Sequence, residues 1–345
     1  MSQMEADDNI PSTSSGRTLQ EPATSKSNAL TAAEIKQRWN FAKVIRRLGT
    51  TEQCVQFAED NGLILRSKLC TKHKTQMSLH MRGNCSLGIF RCRKSSCRAN
   101  SGVSRASGTW FEKAKISLPH IFHIMYGYAH HWSNAMTREE NFVEGSCLSN
   151  ETITDWYSYC REAVVTYQVD KQESKGKIGG PGKIVQIDES KFGKRKYNKG
   201  RRVEGHWVLG MIENGSEVLR LEVCPDNVRL AEVLIPLIKK PVTEGTTIHT
   251  DYWKAYDCLR DHGYEHLKVN HSDPDNPFVT SDGIHTQRIE SQWRVVKRFF
   301  QKDNYNNPSN FADIIVEYIW RKSIIKNRYD PFEKLIDVIK YSYKP

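Results

Sequence analysis

The chain has 345 residues, 38% of them hydrophobic, with eight Trp and fourteen Tyr, enough for roughly two or three small domains and at least one sizeable core. A formal charge of +11 predicts a polyanionic partner, while the lack of an apolar run of about 18 residues argues against a membrane span. Nine cysteines, with no apolar signal core at the polar start, predict an intracellular protein with reduced thiols and metal ligands, not a disulfide framework.

Residues 1–28 carry few large apolar side chains and are predicted to be a disordered tail. A helical N-terminal segment follows over 29–65, where Ile35, Trp39, Val44, Leu48, Val55 and Phe57 predict two short helices closed by Asn61-Gly62. Residues 66–111 lose this period and concentrate Cys, His, Arg and Lys. So few apolar residues predict a module organised by metal. Cys70 and His73 are separated by two residues, and Cys92 and Cys97 by four. Such a donor set suits one structural Zn²⁺ in a closed tetrahedral site, with Cys85 the substitute should one ligand differ.

Residues 112–170 return to helix, with Leu118–His131 and Asn150–Val169 the clearest stretches. The region Thr137–Val169, with its turn at Gly145–Ser149, resembles a helix-turn-helix unit, with Ser149 as an N-cap; DNA reading and packing on the domain that follows are the two roles it could serve. Lys171–Gly182, holding four Gly and one Pro, is predicted to be a linker.

Residues 183–303 change character. Strands are predicted at Lys183–Asp188, His206–Glu213, Val218–Cys224, Thr246–Asp251 and His266–Asn270, with helices at Arg229–Lys239 and Trp253–His262. That order predicts an α/β fold, a mixed sheet with helices on its faces. Asp188 and Asp251 close two of the strands, where ligands of open α/β sheets collect. Ile289, Trp293, Val296 and Phe300 mark a buried helical stripe, flanked by Glu290, Arg294 and Lys297 on nearly one side. Three carboxylates from distant segments, beside basic residues, suit two-metal phosphoryl transfer, which needs hard oxygen ligands. Glu189 ranks behind Asp188, because strand alternation points neighbours to opposite faces. Residues 304–345 form a C-terminal helical segment of undetermined role.

The runs IDESKFGKRK, HTDYWKAY and HTQRIESQWRVVKR, in this order, resemble the Merlin-type DDE transposases and their bacterial insertion-sequence relatives. The resemblance spans roughly residues 66–300 and implies an RNase H-like catalytic domain preceded by a zinc-ribbon-like element. It also implies two Mg²⁺ or Mn²⁺ ions per active site, with DNA cleavage and joining at transposon ends. Catalytic and metal-binding roles fall on Asp188, Asp251 and Glu290. Many bacterial relatives carry Asn where this chain has Gln287, which leaves open whether Gln287 joins the site.

In the run 191–202, seven of twelve residues are basic: Lys191, Lys194, Arg195, Lys196, Lys199, Arg201 and Arg202. They are expected to clamp phosphates beside Asp188, together with Arg294 and Lys297. The same run also fits nuclear import, so the expected location is the nucleus. The expected partners are transposon terminal inverted repeats and target duplex DNA, bound by a homo-oligomer, with no membrane. Two rival readings are a catalytically silent, domesticated DNA-binding protein and an RNase H-like nuclease that cuts without joining.

Overall fold

Short polar side chains open most helices of this protein, as its computed structural model shows over residues 30–82, 85–97, 102–145, 147–193, 205–274, 278–302 and 308–344. The chain divides into two units, residues 1–38 and 39–345. In the first, a capping box between Thr31 and Glu34 opens helix α1 (Ala32–Gln37). The predicted disordered tail lies outside the described residues.

The second unit begins with α2 (Phe41–Leu48) and α3 (Thr51–Asp60), capped by Asn40 and Thr50. The stretch predicted to hold two helices therefore holds three, because each of these caps starts a new one. The Cys-rich segment forms a small antiparallel sheet of β1 (Ser78–Arg82), β2 (Cys85–Arg91) and β3 (Val103–Ser104). Next come α4 (Leu118–Ala129), buried along its whole length, the short α5 (Asn134–Glu139) and the long α6 (Asn150–Asp170), which Ser149 caps. Ile153, Trp156, Cys160, Ala163 and Val164 of α6 pack into a core shared with α2, α3 and α4.

That core is completed from the other end of the chain. After the residues of the larger sheet come α9 (Phe311–Lys326) and α10 (Pro331–Ser342), whose Trp320, Ile324, Phe332 and Leu335 pack among the N-terminal helices. Asp330 ties the ends together by accepting from the Trp39 backbone N–H at 2.7 Å. Buried Glu317 on α9 accepts from Arg161 of α6 at 2.7 Å and from Arg321 at 2.8 Å, while Arg321 also donates to the Ala129 and Tyr128 carbonyls of α4. Glu317→Ala would leave two guanidinium groups without their counter-charge, so it should destabilise the fold by about 3–5 kcal/mol. Chemical denaturation measures this, and a loss below ~1 kcal/mol would mean the network is solvent-relaxed.

Between these ends lies a five-stranded sheet built from β5 (Ile184–Phe192), β6 (His206–Glu213), β7 (Leu219–Val223), β9 (Thr247–Asp251) and β10 (Glu265–Val269). The strand order is β10-β9-β5-β6-β7, with β5, β6 and β7 antiparallel and β5, β9 and β10 parallel. This is the RNase H-like arrangement that the resemblance implies. Helix α7 (Ala231–Lys239) and a 3-10 segment, Lys254–His262, cover one face. Helix α8 (Gln287–Lys302) and the start of α9 cover the other.

Part of the glycine-rich stretch before β5 is held rather than loose. Its β4 (Ile178–Gly179) pairs with β8 (Val242–Thr243), and Gly179 and Gly180 donate to Glu213 and Thr246. Among the described residues, no helix is long and apolar enough to cross a membrane.

Candidate active site and metal centre

Asp188 does not end its strand, as the sequence suggests; β5 runs on to Phe192 because β6 keeps pairing with it, Asp188 opposite Gly210 and Phe192 opposite His206. What ends near Asp188 is the other neighbour. Strand β9 pairs in parallel with β5 through Ile184–Thr247, Val185–Ile248 and Gln186–His249. Two residues beyond that ladder come Asp188 and Asp251, the last residue of β9, near enough for the charge of one to act on the other. Equal register puts both carboxylates on the α8 face.

Helix α8 supplies Glu290, and the predicted stripe of Ile289, Trp293, Val296 and Phe300 is its buried side. Two features fix its approach. A Cβ on Gly210 would meet the Trp293 and Ile289 side chains at 2.6 and 2.7 Å, so only glycine lets the helix lie this close. Fully buried Gln186, two residues before Asp188 on the same face, accepts from the backbone N–H of Arg288 at 3.0 Å and of Ile289 at 3.4 Å. A side chain of β5 thus caps the helix that carries Glu290, satisfying donors that every helix start leaves free. Gln186 also lies 3.2 Å from His285 Nδ1, and His249 Nδ1 lies 3.4 Å from the His285 carbonyl, which pins the turn before α8.

Each acid has a holding contact. Trp293 Nε1 donates to Asp188 at 2.8 Å, the Trp253 backbone N–H to Asp251 at 3.1 Å, and the Thr286 hydroxyl to Glu290 at 2.5 Å. Burial raises the Asp188 carboxyl to about 6; the Trp293 hydrogen bond opposes this, and the Asp251 and Glu290 charges add to it. An oxygen-only set whose members repel one another is suited to a hard divalent cation, which would discharge it.

Glu189 faces the other way. Burial raises it to about 7 against a hydrogen bond from the Tyr256 hydroxyl, and Arg229 lies 3.9 Å from it. Gln287 starts α8 and is exposed. Nothing in the sequence marked Gln186 or Gly210, whose roles come from register alone. Gln186→Leu removes the acceptor beneath α8, at a cost of about 1–3 kcal/mol. Chemical denaturation measures this loss, and an unchanged midpoint would show that the cap contributes no stability.

Of the basic residues, Arg294 is exposed, Lys297 lies 5.6 Å from the Phe192 ring centre, and Lys191 lies 5.7 Å from that of Trp207. Lys194, Arg195, Lys196, Lys199, Arg201 and Arg202 lie outside the described residues.

The second centre is the Cys-rich segment. Cys70, His73, Cys92 and Cys97 offer ligand atoms all within 4.8 Å of one another. His73 Nδ1 stands 3.6, 3.5 and 3.0 Å from the sulfurs of Cys70, Cys92 and Cys97, while its Nε2 meets the Ser96 hydroxyl at 2.8 Å. A 3-10 turn at Ser95–Cys97 folds the four-residue spacing back on itself, so both halves act as knuckles. The backbone N–H of His73 chiefly lowers the Cys70 thiol to about 6, and burial chiefly raises Cys97 to about 11.

Residues 175–306 match the family model of the ISXO2-like transposase domain. An uncharacterized transposase-like protein of Haemophilus influenzae is 28% identical over 105 residues, covering 30% of this chain and 82% of that protein. Both are similarities to transposase proteins, the first over residues 175–306. Among solved structures, the catalytic core domain of BIV integrase matches with a TM-score of 0.27 and 13% identity, over 46% of this chain and 97% of that one. A simian T-cell lymphotropic virus intasome, bound to a regulatory subunit of PP2A, matches with a TM-score of 0.28 and 14% identity, over 58% of this chain and 65% of that one.

Proposed function

We propose that this protein is a Merlin-type DNA transposase that cleaves transposon ends and joins the freed strands to target DNA through Asp188, Asp251 and Glu290. The observation that carries this reading is the convergence on one sheet face, within a transposase-matching segment, of Asp188, Asp251 and the helix bearing Glu290. These three carboxylates would hold Mg²⁺ or Mn²⁺, two ions in the full reaction, which would activate the attacking oxygen and stabilise the leaving one. The chain's own task is placement. Trp293, the Trp253 N–H and Thr286 orient the three acids, and Gln186 and Gly210 fix the helix that brings Glu290 to them. Arg294, Lys297, Lys191 and the basic residues of 194–202 contact the DNA backbone in this reading.

Hydrolysis joins a water oxygen to the scissile phosphorus and releases the 3′ oxygen as a hydroxyl. That hydroxyl, giving up its proton, then attacks a target phosphodiester in line, and the bond from that phosphorus to the target's own 3′ oxygen breaks, releasing it as a hydroxyl. The partners are terminal inverted repeats and target duplex, bound by a homo-oligomer in the nucleus. Cys70, His73, Cys92 and Cys97 hold one structural Zn²⁺.

A strand-transfer assay with labelled terminal-repeat DNA, target plasmid and Mg²⁺ tests the proposal. Joined products support it. Cleavage without joining would make the protein a nuclease, and binding without cleavage would make it a silent DNA-binding protein.

A further inference from the structure

Two large aromatic side chains stand in solvent directly after Asp251. Tyr252 is 67% and Trp253 40% exposed, although the backbone N–H of Trp253 is held by the Asp251 carboxylate. They do not stand alone. The guanidinium of Arg229 lies between two indoles, 4.1 Å from the Trp207 ring centre and 4.5 Å from that of Trp253. Lys191 lies 5.7 Å from the Trp207 ring, and Lys268 lies 4.9 Å from the Tyr252 ring.

Hydrogen bonds and an ion pair fix the support beneath this row. Asn227 accepts from the Trp207 backbone N–H at 2.8 Å, and its amide donates to the Gly205 carbonyl. To reach them, Asp226 and Asn227 both take left-handed backbone, with φ of 51° and 60°. Neither is glycine, so this turn stores strain that the surrounding contacts must hold. Glu189, buried on the same face, lies 3.9 Å from Arg229 and anchors it.

We propose that Tyr252 and Trp253, with Arg229, Trp207 and Lys191, form a platform for an unpaired DNA strand on the sheet face opposite Asp188, joined to the carboxylate site through Asp251. Alternating cations and ring faces match the alternation of phosphates and bases along a single strand. Paired bases hide their faces in the duplex stack, so exposed rings find partners only where pairing is broken. The chain's charge of +11 favours a nucleic-acid occupant over an apolar peptide. This rests on the transposase reading and deepens it: the strand entering the site is held opened, not as intact duplex.

The test is binding of a labelled deoxythymidine oligonucleotide and of a mixed-sequence duplex of equal length, measured in EDTA by anisotropy and by tryptophan quenching. The full-length protein should bind the single strand with quenching. Tyr252→Ala plus Trp253→Ala should weaken single-strand binding roughly tenfold to a hundredfold, at the stacking strength of one or two bases. Duplex binding should hold, which also reports that the variant is folded. Trp253→Phe should recover part of the loss, because a ring face returns. Tyr252→Ala alone, at the most exposed position, gives the same reading should the double variant prove unstable. Equal weakening for both DNAs would make the row a backbone clamp and overturn the proposal, as would unchanged single-strand binding. Because no divalent ion is present, a protein that fails to cleave DNA still passes or fails this test independently.

Discussion

Asp188→Asn, Asp251→Asn and Glu290→Gln should each reduce Mg²⁺-dependent strand cleavage by at least roughly a thousandfold, the upper range for losing one preorganised electrostatic group. These amides are chosen because the contacts around each acid survive the change. In place of the Asp188 carboxylate, an amide oxygen can still accept from Trp293 Nε1. The same holds for the Trp253 N–H beside Asp251 and the Thr286 hydroxyl beside Glu290. Only the negative charge is lost. Folding should therefore be spared, or improved at Asp188, where burial and the neighbouring acids already oppose ionisation. DNA affinity should be unchanged or slightly tighter, since removing a negative charge near phosphates cannot weaken their attraction. Single-turnover cleavage and anisotropy on the same preparations measure both quantities. Robust cleavage by any one variant would remove that residue from the catalytic set.

The helix that carries Glu290 was legible in the sequence because a buried stripe leaves a period. Ile289, Trp293, Val296 and Phe300 recur at helical spacing, and the structure buries all four. The parts that position the acids leave no such mark. Gln186 is one of several polar residues along β5, and its role exists only because α8, some hundred positions later, starts above it. Gly210 looks like any strand glycine until Trp293 is laid across it. Arg229 and Trp207 look ordinary until folding inserts the guanidinium between two indoles. The helical half shows the same limit at larger scale. Helix α6 reads as the second helix of a helix-turn-helix, but α5 before it is a short six-residue turn of helix, and much of α6 is covered by α9 and α10. Periodicity reports that a face is buried; it cannot report that the covering helix comes from the far end of the chain.

Removing Zn²⁺ from the proposed site should unfold the Cys-rich module while the larger sheet stays folded. The geometry favours Zn²⁺: bonds of about 2.3 Å to sulfur and about 2.0 Å to nitrogen, directed to the corners of a tetrahedron, bring the ligand atoms to within 4 Å of one another. The sulfur-to-nitrogen separations of 3.0 to 3.6 Å and the Cys70–Cys97 separation of 3.7 Å fall in that range. Apart from the ligands, the module buries little. Phe90 and Leu87 are its large buried side chains between Arg66 and Ser104 among the described residues, and Leu87 packs into the helical core. Metal binding, worth about 10–16 kcal/mol in small zinc modules, would therefore supply most of the folding energy. The damage should stop at a definite place. Arg105 pairs with Glu59 and donates to the Leu65 carbonyl at 2.7 Å, while Trp110 and Phe111 sit in the helical core, so the chain from Arg105 onward has its own anchors. His73→Ala or chelation should therefore expose β1 and β2 to protease and leave the five strands of the larger sheet protected. Elemental analysis should find one zinc per chain in the parent protein and none in Cys70→Ser plus Cys97→Ser. A parent that carries no zinc, yet resists protease across this segment, would show that β1, β2 and β3 hold together without metal.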